Sequence, residues 1–188
     1  ATAAHPARHV PPLHLSHGDV YNYHLCPRRY LLQDRYGFAG QVIAPLRAGQ
    51  SLHRALEIYH RLRRDGEHVS ADRRERIFER SWIHPRSSRD AKAEHDRLFG
   101  VFTRYVDGFE RGDSGRIRVV ATEQPFYVTE GRGVLTGKID LVRERDDALE
   151  IVEFKFNRNP MMQDYPRLQL DHYSLAYPTS SPASWSTT

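Results

Sequence analysis

The sequence predicts an α/β fold, and the changing period of its apolar residues predicts it. Up to Arg111 they recur at helical intervals, beyond Gly112 and Gly115 they alternate as in strands, and from Gln163 to Tyr177 they return to helical spacing. The expected architecture is a helical N-terminal half over 15–112, followed by a sheet and a closing helix over 116–177. A chain of 188 residues holds one domain with a sizeable core.

Residues 1–14, rich in Ala, His and Pro, read as a flexible lead-in or linker. Ser16 is the candidate N-cap of a first helical piece, and Pro27 breaks the run, leaving two short pieces between Ser16 and Phe38. A helix from about Ala48 to Arg64 carries Leu52, Leu56 and Tyr59 as its apolar stripe and ends at Gly66. His53, Glu57, His60 and Arg64 fall on a neighbouring stripe. Two charged helices follow, Ala71–Trp82 and Arg89–Arg111, the second with Leu98, Phe102, Tyr105, Val106 and Phe109 on one side. The segments IRVVATEQPFYV, GVLTGKIDLVRER and ALEIVEFKFN then alternate as strands, joined by the short polar EGRG and RDD, which predicts a three-strand antiparallel meander. Pro178 stops the closing helix, and 178–188 is a polar tail.

Lys and Arg number 28 against 24 Asp and Glu, a net +4 that suits a polyanionic partner without requiring one. Ten Tyr and eight Phe argue for a packed core and against a wholly disordered chain. With a single cysteine there is no internal disulfide and no cysteine-only metal site from this chain alone, and Cys26 is expected to be a small buried packing residue. No apolar run approaches the length of a membrane span and the N-terminus lacks a secretory apolar stretch, so no membrane partner is expected and the cytoplasm is the expected location.

The chemistry concentrates in the strands. Asp140 interrupts the apolar LTGKIDLV, and Glu153 and Lys155 interrupt EIVEFKF, where uncompensated charges cost several kcal/mol each. Alternation puts Glu153 and Lys155 on one face and Phe154 on the other. With Asp140 opposite Glu153 across a hairpin, two carboxylates and a main-chain carbonyl, that of Phe154, make a site for one hard divalent cation, Mg²⁺ or Mn²⁺. Lys155 then orients or activates the attacking water, an arrangement suited to phosphodiester hydrolysis. Glu123 is a second-tier site residue, and Glu57 reads more readily as a helix salt-bridge partner than as a ligand. Arg28 and Arg29 beside Tyr30, and the Arg61, Arg63, Arg64 cluster, are candidates for following a phosphate backbone. The spacing of His53, Glu57 and His60 is not the H-E-x-x-H of zinc proteases.

In order, LSHGDVYNYHLCPRRYLL, AGQSLHRALE, TEQPFYV, GKID, IVEFKF and QLDHY resemble the PD-(D/E)xK nuclease superfamily, and within it the RecB-like branch of helicase-linked and CRISPR-associated nucleases. The resemblance covers Leu15 to Tyr177 and implies a single restriction-endonuclease-like domain with a short mixed sheet flanked by helices. It implies His53 as an extra metal ligand, and Gln169 and Tyr173 as the Q-x-x-x-Y pair that positions phosphate or Lys155. It further implies a metal-dependent deoxyribonuclease, acting on single-stranded DNA or duplex ends in repair, recombination or CRISPR-related processing, exonucleolytic in type, with a fused or associated helicase as partner. Ile139 stands where the family's name has proline, and no C-terminal cysteine triplet accompanies Cys26, so no iron–sulfur cluster is expected. The alternative is a nuclease-like DNA-binding module without catalysis, serving a helicase or recombination complex.

Overall fold

The computed structural model describes residues 12–38, 44–83, 89–112, 116–155 and 164–176. Most of the expected lead-in (1–11), the polar tail (178–188), and the expected helix limits Gln163 and Tyr177 lie outside them. A strand the periodicity does not anticipate, β1 (Leu13–Ser16), begins inside the expected lead-in. Ser16 then caps α1 (His17–Leu25). Its Oγ accepts from the Asp19 amide at 3.1 Å while the Asp19 carboxylate accepts from the Ser16 amide at 2.6 Å, so two otherwise orphaned donors are satisfied. Pro27 opens α2 (Pro27–Tyr30), where a missing N–H costs nothing, and a π-helical turn, Leu31–Arg35, follows. Cys26 corrects the expectation of burial: it is exposed, and its Sγ caps α2 by accepting from the Arg29 amide at 3.4 Å.

Three long helices build the N-terminal half. α3 (Ala44–Arg64) starts before the expected Ala48 because Pro45 is tolerated in a first turn, and Gly66, at φ +78°, follows its end. α4 (Ala71–Ser81) is capped by Ser70, and α5 (Arg89–Gly112) runs back across both. Leu52, Leu56 and Tyr59 of α3, Phe78 of α4, and Leu98, Phe102 and Val106 of α5 are buried together, each contributing about 1.5–3 kcal/mol. His60 corrects the stripe reading. It lies close to the angular position of His53 on α3 but is fully buried, because Tyr105 and Phe109 of α5 pack over that turn.

The sheet sets the site. β2 (Ile117–Glu130) pairs antiparallel along the whole of β3 (Gly133–Arg145), and β4 (Ala148–Val152) returns through Asp146 and Asp147, both at positive φ as a tight two-residue hairpin requires. The other edge of β3 is divided. β1 lies parallel against Gly133–Thr136 and β4 antiparallel against Leu141–Arg145, so residues 137–140 of that edge pair with neither. β4 ends at Val152, which corrects the expectation that Glu153 and Lys155 lie within a strand. The Phe154 amide donates to the Asp140 carboxylate at 2.8 Å, and beyond Val152 only Phe154 keeps an isolated bridge to the sheet.

α6 (Asp164–Ala176) packs Tyr173 into a second apolar cluster with Phe126, Ile139, Val142 and Ile151. Gly137 is required there, since a Cβ would stand 2.5 Å from the Phe126 ring, which in turn meets Tyr173 edge-on at 5.3 Å. The result is a mixed four-stranded sheet flanked by helices. Among the described residues no helix is long and apolar enough to cross a membrane.

Candidate metal centre

The unpaired stretch of β3 ends at Asp140, and α3 passes the same place. One donor atom each from His53, Glu123 and Asp140 lie within 4.8 Å of one another. His53 Nδ1 stands 3.5 Å from Asp140 Oδ1. Burial disfavours the imidazolium, but the contact with Asp140, together with the charges of Asp140 and Glu153, outweighs it and raises the His53 pKa. Glu123 faces Asp140 across the β2–β3 ladder, between the pairs Thr122↔Leu141 and Gln124↔Ile139. Its φ of +49° is rare for a non-glycine residue and costs on the order of 1 kcal/mol, and its carboxylate is ion-paired with Lys138. One imidazole and two carboxylates are a donor set that fits a divalent cation.

Glu153 lies beneath this group and not in it. Its side chain is buried, with Oε1 accepting from Lys155 Nζ and Oε2 3.1 Å from Tyr173 Oη. Burial first, then the charge of Asp140, pushes its pKa up to about 7 against the opposing pull of Lys155. Tyr173 Oη also lies 3.0 Å from the Lys138 carbonyl and accepts from Gln169 Nε2. Gln169 and Tyr173 are thus stacked on one face of α6, as the four-residue spacing suggests. Phe154, between Glu153 and Lys155, is clamped from α3 and α5. The His60 ring stacks on it at 6.1 Å with a 9° interplanar angle, Tyr105 meets it edge-on at 5.3 Å, and His53 approaches at 6.2 Å. His60 Nε2 is 2.9 Å from Tyr105 Oη, and burial, aided by the charges of Arg143 and Arg63, lowers its pKa to about 3, so it is neutral.

A cleft of about 490 Å³ opens at this centre, lined by His53, Glu57 and Glu123 together with Gln50, Arg54, Ile58 and Arg61. Glu57 accepts from Arg61 at 3.2 Å, the helix pairing expected of it. Arg28 and Arg29 are exposed on α2 and do not line the cleft, Arg29 donating instead to Gln33 at 2.6 Å. Arg64 closes α3, about 16 Å along the axis from His53, and donates to Asp65 at 3.0 Å. Gln50, Arg54 and Ile58 are the cleft residues the sequence reading misses, and the available signal is their place beside His53 on one amphipathic helix.

The family model described as the PD-(D/E)XK nuclease superfamily matches residues 14–185. No curated protein matches the chain. Among solved structures, protein VC1899 from Vibrio cholerae is similar at 11% identity and a TM-score of 0.37, over 78% of this chain and 48% of that one. The chain therefore spans about half the length of that protein.

Proposed function

Because the chain belongs to the PD-(D/E)XK nuclease superfamily, we propose that it is a metal-dependent deoxyribonuclease of the RecB-like branch, with residues 15–177 as a single nuclease domain. The observation that carries this reading is the meeting of His53, Glu123 and Asp140 beside the Glu153–Lys155 pair, inside the matched region. The sequence reading gives His53, Asp140 and Glu153, with the Phe154 main-chain carbonyl, as donors to Mg²⁺ or Mn²⁺. The geometry supports His53 and Asp140 as those that would hold the cation and adds Glu123, with Glu153 held behind them by Lys155 and Tyr173. A divalent cation held there supplies Lewis-acid charge to a phosphodiester and lowers the pKa of water.

The chain's own residues do the rest. Asp140 is fixed by the Phe154 amide, so its orientation depends on where β4 ends. Glu153 holds the Lys155 ammonium in place to orient or deprotonate the attacking water, and Tyr173, set by Gln169, holds Glu153. The proposed substrate is single-stranded DNA or duplex ends, cut exonucleolytically in repair, recombination or CRISPR-related processing, in the cytoplasm and with a fused or associated helicase as partner.

End-labelled single-stranded and duplex DNA, incubated with Mn²⁺ or Mg²⁺ and with chelator, tests the reading. Wild type should cleave only with the cation, and Asp140→Ala should lower the rate by at least about 1000-fold while leaving the folded spectrum intact. Cleavage surviving in chelator, or in D140A, overturns the metal-dependent mechanism. Binding without turnover by wild type favours the non-catalytic module instead.

A further inference from the structure

The cleft at the metal centre does not stop at α3. A second cleft of about 340 Å³ adjoins it, sharing Ile58 and Arg61, and is walled on its far side by α4. Arg73, Arg76 and Arg80 line that wall, at intervals of three and four residues that place them on one helical face. With Arg54 and Arg61, five guanidinium groups border the two clefts, and buried Ile77 lies in the floor. Arg61 and Arg73 are held by surface ion pairs to Glu57 at 3.2 Å and Glu67 at 2.6 Å, of a kind that contributes little and yields to a better anion. Arg54, Arg76 and Arg80 have no hydrogen-bond or ion-pair partner among the described residues.

Resting on the nuclease reading, we propose that the joined clefts between α3 and α4 are a track for the sugar–phosphate backbone of the substrate strand, leading from the metal centre at His53 and Glu123 to Arg80. The guanidiniums bind successive phosphodiesters, and the apolar floor accepts the less polar sugar face. The length suits this. The eight rises of α3 from His53 to Arg61 span about 12 Å, and the seven of α4 from Arg73 to Arg80 about 10 Å, room for several phosphates. No base edge is read by such contacts, so the track binds without regard to sequence.

The test measures affinity for a fluorescein-labelled oligodeoxythymidine by anisotropy across a salt series, in Ca²⁺ to hold cleavage down. Removing two phosphate contacts with R76A/R80A should lower the slope of log affinity against log salt by about 1.4 and weaken binding roughly tenfold or more near 0.1 M salt. E57Q, which frees Arg61, should tighten binding several-fold. R104A/R111A removes the same charge from the exposed face of α5 outside both clefts and should leave affinity within about twofold of wild type. Equal losses in the two double variants, or an unchanged slope in R76A/R80A, overturn the track. Cleavage assays on the same proteins separate this from the nuclease reading: binding that needs Arg76 and Arg80 in a chain that never cuts leaves the track standing and sinks the nuclease. Normal KM and kcat in R76A/R80A do the reverse, while a wild type that neither binds nor cuts overturns both.

Discussion

Asp140 and Glu153 flank the end of one strand ladder, yet their surroundings are opposite. Pairing of β3 with β4 stops at Leu141↔Val152, so each acid is the next residue beyond it. Asp140 joins His53 and Glu123, both of which line an open cleft. Glu153, only 6% exposed, is enclosed by Lys155, Tyr173 and the clamped Phe154. The contrast teaches a division of labour within one superfamily site. On the proposed nuclease reading, the open half would gather donors for a cation and the buried half would set the charge and position of the groups that face them. Burial makes the ionised Glu153 carboxylate expensive, and that cost can be measured.

The sharpest comparison replaces each acid by its amide. D140N and E153Q should both lose at least about 1000-fold in cleavage rate, but their stabilities should diverge in metal-free buffer. With a folded pKa of about 7 against an ordinary 4.5, Glu153 binds a proton in the folded chain that the unfolded chain has already released. Its contribution is therefore full below pH 4.5 and is lost as pH rises through 7, a difference approaching about 3 kcal/mol at alkaline pH. Glutamine escapes that loss, so urea unfolding at pH 8 should show E153Q more stable than wild type and D140N not. An equal gain in D140N would erase the distinction between the halves.

The floor of the buried half makes the next test. His60, neutral with a folded pKa of about 3, stacks beneath Phe154, while the unfolded histidine titrates at its ordinary 6.5. The unfolded chain thus takes up a proton first as pH falls. Stability from this group is intact above 6.5 and declines by about 1.4 kcal/mol per pH unit toward pH 3. His60→Phe keeps a ring against Phe154 and should flatten the acid limb of a stability–pH curve. An unchanged limb would mean that His60 is hydrated and that Phe154 rests on a softer support.

Much of this arrangement is legible in sequence, and the illegible part has physical reasons. The limits of β3, the capping by Ser16, and the place of His53 on a helix and Asp140 in a strand follow from local pattern, because alternation, capping and helical spacing are short-range rules, whereas the meeting of His53 with Asp140 is implied by the family resemblance. β1 escapes because a four-residue strand has too little period, and its pairing with Gly133–Thr136 is set more than a hundred residues away. Glu123 reaches Asp140 only after the ladder shifts between Val119 and Ala121, and a bulge leaves no mark in apolar alternation. In sequence Arg61 is already a candidate phosphate contact, but the arginines of α4 read only as part of a strongly charged helix. Only packing of the two helices places them along adjoining clefts.

The smallest expected effect is the most direct probe of how the buried half is wired. Tyr173 Oη accepts from Gln169 and faces two acceptors, the Lys138 carbonyl and Glu153 Oε2, but a phenol has one proton to give. A protonated Glu153 resolves the shortage by donating to Oη while Tyr173 donates to the carbonyl, which agrees with the raised pKa of Glu153. Tyr173→Phe keeps the ring packed against Phe126 and removes only this junction, stranding the Lys138 carbonyl and the Gln169 amide at a cost of about 1–2 kcal/mol. The same hydroxyl also supports the ionised form of Glu153, so its loss should move the pH at which stability stops falling and levels off, read by urea titration in chelator, to a higher value, while the onset near pH 4.5 stays put. If neither stability nor that pH responds, the hydroxyl is a bystander. Control of Glu153 would then rest with burial and the opposed charges of Asp140 and Lys155, and not with α6.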